Sequence, residues 1–138
     1  YEPSAPSNPV LAQFGSVFRL LGYDVQQTPS SLLFHLYWHS LEQPQEDYNY
    51  FIHLWHDGQI IAQVDSMPAA GEYPTSWWAP GEYYIDSAAL DLPVLEPGGY
   101  TITLGWYQNA TGRRLPITKG IPSTDAYQWI TLHTFRVN

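Results

Sequence analysis

Aromatic and polar side chains are concentrated in the segment from Tyr73 to Tyr84, which includes Trp77, Trp78 and Glu82. A ring offers a large apolar face that can stack on the C–H face of a sugar, while a carboxylate can accept hydrogen bonds from hydroxyls. Adjacent residues of an extended segment face opposite ways, so we expect one tryptophan to enter the core and the other to be exposed. The exposed ring, with Tyr73, Glu82 and Tyr83, forms the first candidate ligand-binding site.

A second candidate patch lies on the segment from Leu32 to His39, where apolar and polar residues alternate. The even positions are Leu, Phe, Leu and Trp, which is typical of the buried face of a strand. The odd positions place His35, Tyr37 and His39 together on the outer face. These three side chains could contact a ligand or a partner.

The histidines raise the question of a metal site. At about 3.3 Å per residue, His35 and His39 lie about 13 Å apart on one strand face, too far to share an ion. His53 and His56 point to opposite faces, which leaves convergence across strands, such as His35 with His53, as the open route. Cysteine is absent. We expect no metal and no cofactor, and we expect His53 to be buried and hydrogen-bonded.

Catalytic patterns are weak. The chain has no Gly-x-Ser-x-Gly motif and no cysteine nucleophile. A glycosidase needs two carboxylates about 5–9.5 Å apart across a cleft. The acids available for such a pair are Asp65, Glu72, Glu82 and Asp86. Asp86 lies inside a predicted strand and needs a partner there, for which Arg113 and Arg114 are the candidates. We expect no catalytic residue, and a hydrolase using an acidic pair is kept as an alternative.

The composition limits the class of protein. The chain has 138 residues, a net charge of −8, five basic residues and 44% hydrophobic residues. Five cations cannot build the basic face of a nucleic-acid binder. The hydrophobic content excludes a disordered acidic tail. The first residue is not Met and no apolar run reaches the ~18 residues of a membrane span, so we expect a processed chain or excised domain that does not itself insert in a membrane.

The elements that would position these residues are strands. Pro3, Pro6 and Pro9 predict an extended linker over residues 1–12, and residues 13–138 form one domain. Short β-rich runs separated by turn residues predict an all-β fold, an antiparallel two-sheet sandwich with an immunoglobulin-like Greek key. The eight predicted strands cover residues 13–21, 31–39, 48–56, 59–65, 82–92, 99–107, 113–118 and 127–137.

Two local signals support this fold. Asp57-Gly58 between apolar runs predicts a hairpin, because both turn positions favour positive φ. Tyr100 follows a Pro-Gly-Gly turn and begins an alternating strand, as in the tyrosine corner of immunoglobulin-like sandwiches. The alternation predicts an inward-facing set: Phe34, Leu36, Trp38, Tyr100, Ile102, Leu104 and Trp106.

The order of several short motifs carries a family resemblance. These motifs are Leu21-Gly22-Tyr23, Leu36-Tyr37-Trp38, Phe51-Ile52-His53-Leu54, Ala62-Gln63-Val64-Asp65, Tyr73-Pro74-Thr75-Ser76-Trp77-Trp78, Pro80-Gly81-Glu82 and Pro97-Gly98-Gly99-Tyr100. From about Phe14 to Val137 the chain resembles the extracytoplasmic β-sandwich module of large bacterial polytopic membrane proteins similar to lipid-linked-sugar glycosyltransferases. The spacing in such modules implies that Trp78 is the core plug and Trp77 the exposed ring.

The resemblance implies a non-catalytic accessory domain, tethered at the cell surface through a membrane region outside this chain. Its expected partners are a glycan or the rest of the parent membrane protein. The first alternative is a free-standing carbohydrate-binding module, and the second is the hydrolase with an acidic pair. A membrane span encoded elsewhere in the longer gene would favour the accessory domain. Glycan binding by the isolated chain would favour the free-standing module, and turnover of glycosides would favour the hydrolase.

Overall fold

The computed structural model describes residues 5–120 and 128–138, which fold into two antiparallel sheets packed face to face. One sheet has five strands in the order β6-β3-β2-β1-β8, and the other has four in the order β5-β4-β7-β9. The strands are β1 (Asn8–Phe14), β2 (Phe18–Gln27), β3 (Ser31–Ser40), β4 (Tyr48–His56), β5 (Gln59–Ser66), β6 (Tyr83–Asp91), β7 (Gly98–Gln108), β8 (Ile117–Lys119) and β9 (Ile130–Val137). Two short 3₁₀ turns, Pro68–Gly71 and Thr75–Trp77, connect β5 to β6.

The predicted all-β sandwich is confirmed. β3 pairs with β6 in one sheet and β4 pairs with β7 in the other, while β3 leads into β4 and β6 into β7 across the sandwich. These crossed connections are the Greek-key core of an immunoglobulin-like fold. The tyrosine corner is present as well, since the Tyr100 hydroxyl donates to the Glu96 carbonyl over 2.6 Å. No helix within the described part of the chain is long and apolar enough to span a membrane.

The inward faces of β3 and β7 form the core as the alternation predicts. All seven residues of the expected set are at most 2% exposed. Trp38 and Trp106 meet edge to face, with ring centroids 4.9 Å apart, and Phe18 stacks on Trp106 at 4.3 Å. These contacts join strands of both sheets, so the aromatic residues hold the two layers together.

The first predicted strand, residues 13–21, is in fact two strands. Gly15, at φ 56°, reverses the chain between β1 and β2, and Phe14 and Phe18 on either side are both fully buried. β1 begins at Asn8, inside the segment that the proline spacing assigns to a linker. Pro9 is accommodated because β8 pairs with β1 only at its far end, leaving one side of Pro9 without a neighbouring strand.

Other boundaries also differ. The predicted strand over residues 113–118 is mostly loop: Arg114 forms an isolated antiparallel bridge with Tyr107 of β7, and only Ile117–Lys119 forms a strand, β8. The described part therefore contains nine strands instead of eight. The start of the last predicted strand, at residue 127, lies outside the described residues. The hairpin between β4 and β5 is confirmed, with Asp57 at φ 51° and Gly58 at φ 75°.

Candidate functional site

The first site predicted from the sequence is held together by its own polar groups. The Tyr73 hydroxyl donates to Glu82 Oε2 over 2.5 Å, and the Ala79 N–H donates to Glu82 Oε1 over 2.9 Å. Burial and this hydrogen bond raise the pKa of Tyr73 to about 12. Tyr73 and Glu82 therefore fix the conformation of the loop before β6, and each has its partner within the protein.

The two tryptophans of this loop separate as the resemblance implies. Trp78 is fully buried, and its indole N–H donates to the Tyr73 carbonyl over 3.2 Å. Trp77 is 67% exposed. Tyr83 does not belong to this group, because its ring stacks on the ring of His39, with the two ring centroids 4.3 Å apart. Of the first predicted site, only the Trp77 ring is therefore exposed and free of a polar partner among the described residues, because Tyr73 and Glu82 are hydrogen-bonded to each other.

The second predicted patch lies on the outer face of the five-stranded sheet. The Tyr37 hydroxyl donates to Asp24 Oδ2 over 2.5 Å, and the Ser7 N–H donates to Asp24 Oδ1 over 2.6 Å. These hydrogen bonds lower the pKa of Asp24, and the bond to Asp24 raises the pKa of Tyr37. His35, opposite Asp24, is exposed and borders a shallow groove of about 260 Å³. Tyr37 and Asp24 here are engaged with each other.

The outer face of the four-stranded sheet contains a third group that the sequence reasoning missed. Strand register places His53 of β4 between Gln63 of β5 and Thr103 of β7. In the next row, Asp65 of β5 lies opposite Phe51 of β4. A histidine, an amide, a hydroxyl and a carboxylate thus share one sheet surface, a set that can both donate and accept hydrogen bonds.

His53 is the distinctive residue of this surface. It is only 7% exposed, yet its Nδ1 atom has no hydrogen-bond partner among the described residues. Its burial is as predicted, but the expected hydrogen bond is absent at this nitrogen. Burial lowers the pKa of His53, Arg114 lowers it further, and Asp65 opposes the shift. A buried polar atom without a partner costs free energy that a bound ligand could recover.

Aromatic rings border His53. Trp55 is half-buried, and its indole N–H donates to Thr103 Oγ1 over 2.9 Å. Trp129 lies 6.0 Å from Trp55, ring centroid to centroid, at an interplanar angle of 34°. Contacts with His53 of β4 and Thr103 of β7 orient the Trp55 ring, and Trp129, which is only 8% exposed, packs beside it, so Trp55 offers the accessible apolar face next to these polar groups.

Arg114 completes the group. Its guanidinium carbon lies 4.7 Å from the centroid of the Phe51 ring and 5.4 Å from that of Trp129. Phe51 can lie against β7 because residue 105 is glycine, and a Cβ there would collide with the Phe51 ring. We call the group of His53, Trp55, Thr103, Arg114 and Trp129, with Gln63 and Asp65 at its border, the β4–β7 outer site.

Asp86 does not pair with Arg113 or Arg114, contrary to the sequence expectation. It points into the sandwich, where it is 3% exposed and Oδ1 accepts the Ala69 N–H over 3.0 Å. Burial raises its pKa. Ala69 has a left-handed conformation with φ 54°, so the carboxylate stabilises a strained turn. The reason for the failed expectation is alternation in β6, which directs Asp86 inward, whereas Arg114 lies outside the four-stranded sheet.

The acids proposed for an acidic pair have different surroundings. Asp65 is on an outer sheet face, Glu82 is bound to Tyr73, and Asp86 is interior. His35 and His53 lie on outer faces of different sheets, so these two cannot converge on one ion. Across residues 5–120 and 128–138, no group of three or more His, Cys, Asp or Glu side chains has the arrangement to hold a metal ion.

A groove of about 470 Å³ opens at the end of the sandwich near the Asp57-Gly58 turn. His56 in its wall stacks on Tyr100 at 4.2 Å, its Nδ1 lies 2.9 Å from the Gly99 carbonyl, and its Nε2 lies 3.3 Å from Asp57. Both ring nitrogens of His56 are therefore partnered, in contrast to Nδ1 of His53, which has no partner among the described residues. The β4–β7 outer site is the stronger candidate.

Comparison with known proteins gives the fold alone. No family model and no curated protein sequence match the chain. Among solved structures, the C-terminal domain of Wzt superposes with a TM-score of 0.60 at 17% identity, covering 96% of this chain and 85% of that one. Chicken MD-1 complexed with lipid IVa gives a TM-score of 0.42 at 10% identity, covering 78% and 89%. The first likeness supports the β-sandwich architecture found here.

Proposed function

We propose that this domain is a non-catalytic carbohydrate-binding module that binds a glycan at the β4–β7 outer site. The observation that carries the proposal is the buried Nδ1 atom of His53, which lacks a partner beside the rings of Trp55 and Trp129. Sugar recognition needs an apolar surface for the ring and a few fixed polar groups for the hydroxyls. Gln63, Thr103 and Asp65 supply further polar groups in the same rows of the sheet.

The mode of binding follows from the properties of the site. Trp55 stacks on a C–H face of the sugar, with the buried ring of Trp129 packed beside it, and His53 Nδ1 accepts from or donates to one hydroxyl according to its tautomer. Stacking tolerates different sugars, so the expected affinity is weak, about 10⁻⁴ M or about −5.5 kcal/mol. The rigid sheet pre-orients these side chains, which limits the entropy lost on binding.

The test compares two tryptophans in the isolated chain. Oligosaccharides from a glycan array are titrated against ¹⁵N-labelled wild-type, Trp55→Ala and Trp77→Ala proteins, and amide chemical shifts are recorded. We expect Trp55→Ala to abolish the shifts and Trp77→Ala to leave them, with both variants retaining dispersed spectra. The absence of shifts with every glycan, or their persistence in Trp55→Ala, would overturn the proposal.

The exposure of Trp77 favours a second location for the same function. The Trp77 ring is 67% exposed on a loop, so one of its faces is open to stack on a sugar. If Trp77→Ala abolishes the glycan shifts while Trp55→Ala preserves them, the binding site is the segment from Tyr73 to Tyr84. Tyr73 and Glu82 would then act by fixing the loop, because they bind each other.

We further propose that the module is an extracytoplasmic accessory domain of a membrane-anchored, glycosyltransferase-like protein. The order of motifs from Leu21 to Tyr100 supports this, and the solved domain with a similar fold is itself the C-terminal domain of a longer protein. The chain has no cysteine, so a single Thr111→Cys substitution provides a unique label in this domain. Labelling of the full-length protein in intact cells by an impermeant maleimide is expected; labelling only after lysis would contradict the location.

A further inference from the structure

Arg114 has no carboxylate partner among the described residues of a protein rich in carboxylates. The chain has thirteen acidic and five basic residues. Among the described residues, the single ion pair within 4.0 Å joins His56 and Asp57. Arg114 is nonetheless half-buried on the outer face of the four-stranded sheet. A guanidinium with no anion in its described surroundings can bind an external one.

The guanidinium is held in place by rings. It lies over Phe51 and Trp129, and one of its five N–H groups donates to Gln128 Oε1 over 3.1 Å. Its other N–H groups have no acceptor in the part of the chain that the structure describes. Stacking fixes the plane of the fork without using these N–H groups. A fixed planar fork is suited to bind a carboxylate or phosphate through two parallel hydrogen bonds.

The same guanidinium belongs to the β4–β7 outer site. It shares Trp129 with Trp55, since the Trp129 ring packs against both. Its positive charge acts on His53, while the negative charge of Asp65 acts on His53 with the opposite sign. The site therefore has an electropositive part at Arg114 and an electronegative part at Asp65. A sugar with one anionic group and several hydroxyls complements both parts.

We infer that the β4–β7 outer site selects a sugar that carries an oxyanion, bound by Arg114, with hydroxyls directed to His53 and Asp65. The inference rests on the proposed glycan-binding function and adds the chemical class of its ligand. A carboxylate of a uronic acid and a phosphate on a sugar share the required chemistry. The experiment distinguishes a carboxylate from a phosphate by testing one ligand of each kind.

The experiment measures affinity by isothermal titration of the isolated chain with digalacturonate, with the neutral disaccharide made by reducing its carboxyl groups, and with galactose 6-phosphate. We expect at least one anionic ligand to bind tenfold or more tightly than the neutral disaccharide. Tighter binding of digalacturonate alone would identify a carboxylate as the anionic group. Tighter binding of galactose 6-phosphate alone would identify a phosphate. The preference should weaken between 0.05 M and 0.5 M salt, since ions screen the contact.

Variants separate charge from packing. Arg114→Met keeps an apolar stem over Phe51 and Trp129 but removes the charge, and is expected to lose the preference for the anionic ligands over the neutral disaccharide. Arg113→Gln removes the same charge from an exposed neighbour and should preserve the preference. Arg114→Lys, which keeps the charge without the fork, should retain part of it.

The outcomes distinguish the two proposals. Equal affinity for anionic and neutral ligands, or equal losses in Arg113→Gln and Arg114→Met, would overturn the role of Arg114 and leave glycan binding standing. Absence of binding for these ligands and for every glycan of an array would overturn both. Retained folding of each variant is verified by its amide spectrum.

Discussion

On the outer face of the five-stranded sheet, Tyr37 donates to Asp24 and His39 stacks on Tyr83. On the outer face of the four-stranded sheet, His53 is buried with Nδ1 unpartnered, and Arg114 has no carboxylate within ion-pair distance in the described residues. Both faces contain histidine, aromatic and acidic residues. They differ in whether their polar groups have found partners inside the protein.

The physical origin of the difference is what covers each face. On β4, Trp129 packs against Trp55 and Arg114 lies over Phe51, and His53 and Thr103 in the same part of the sheet are at most 7% exposed. On β3, His35 is exposed and can bind water instead. Composition alone therefore does not distinguish a binding face from a structural one. Among the described residues, four buried side-chain atoms lack a partner, and His53 Nδ1 is the one on an outer sheet face, whereas Trp38 Nε1, Trp106 Nε1 and Asp86 Oδ2 lie between the sheets.

The largest effect is expected in the core that the two faces share. Trp106→Ala removes a fully buried ring that contacts both sheets, and should lower the free energy of unfolding by about 3–5 kcal/mol. Urea unfolding monitored by circular dichroism measures it. A loss below about 1 kcal/mol would contradict this and would mean that the packing of the two sheets does not depend on the Trp106 ring.

On the outer face of the five-stranded sheet, removing the Tyr37 hydroxyl should lower the free energy of unfolding. Tyr37→Phe deletes the hydrogen bond to Asp24 and should cost about 1 kcal/mol of unfolding free energy at pH 7, modest because Asp24 is partly exposed. The expected loss shrinks below pH 4, where the carboxylate protonates. Glycan-induced shifts should be unchanged. A loss of binding in this variant would break the distinction between the faces.

On the outer face of the four-stranded sheet, removing a polar side chain should leave stability unchanged but abolish binding. His53→Leu replaces a buried ring with an unpartnered nitrogen by an apolar side chain of similar volume, so the unfolding free energy should change by less than about 0.5 kcal/mol or increase. The same variant should lose the glycan-induced shifts. His35→Leu, on the other outer face, is the matched control and should keep them. Strong destabilisation of His53→Leu would show that His53 is structural.

The smallest effect concerns pH. Burial lowers the pKa of His53 and His133 below the unfolded value of 6.5, so the unfolded chain binds more protons below that pH. Stability is therefore expected to decline gradually as pH falls from about 6.5 toward 5. Asp24 also has a lowered pKa, but its contribution is lost only at more acidic pH, below 3.8, the ordinary pKa of an aspartate.

Urea midpoints of the wild type and of His53→Leu at pH 7, 6 and 5 measure this decline. The variant should decline less, because it lacks the contribution of His53, while those of His133 and of Asp86, whose pKa burial raises, are the same in both proteins. His35→Leu should follow the wild type, since His35 is exposed. Identical curves for the wild type and His53→Leu would indicate that the ring of His53 gains its proton without opposing the fold.

The sequence determined what depends on one strand at a time. Alternation in β3 and β7 correctly predicted the inward residues, and the Asp57-Gly58 pair correctly predicted its hairpin, because strand period and turn dihedrals are local properties. The signal that could have indicated the β4–β7 outer site is also local. Phe51, His53 and Trp55 alternate with Tyr50, Ile52 and Leu54, so both faces of β4 are largely apolar, and something must cover the outer one.

Only the tertiary structure decided which distant groups meet. Asp86 binds the Ala69 N–H instead of an arginine, Glu82 binds Tyr73, and Arg114 lies over Phe51 and Trp129. Residues 8–12 become strand because β2 offers hydrogen-bond partners to a segment whose own composition favours a linker. These pairings depend on how segments far apart in the chain are brought together by the packed sheets, and a pattern read along a single strand does not contain that information.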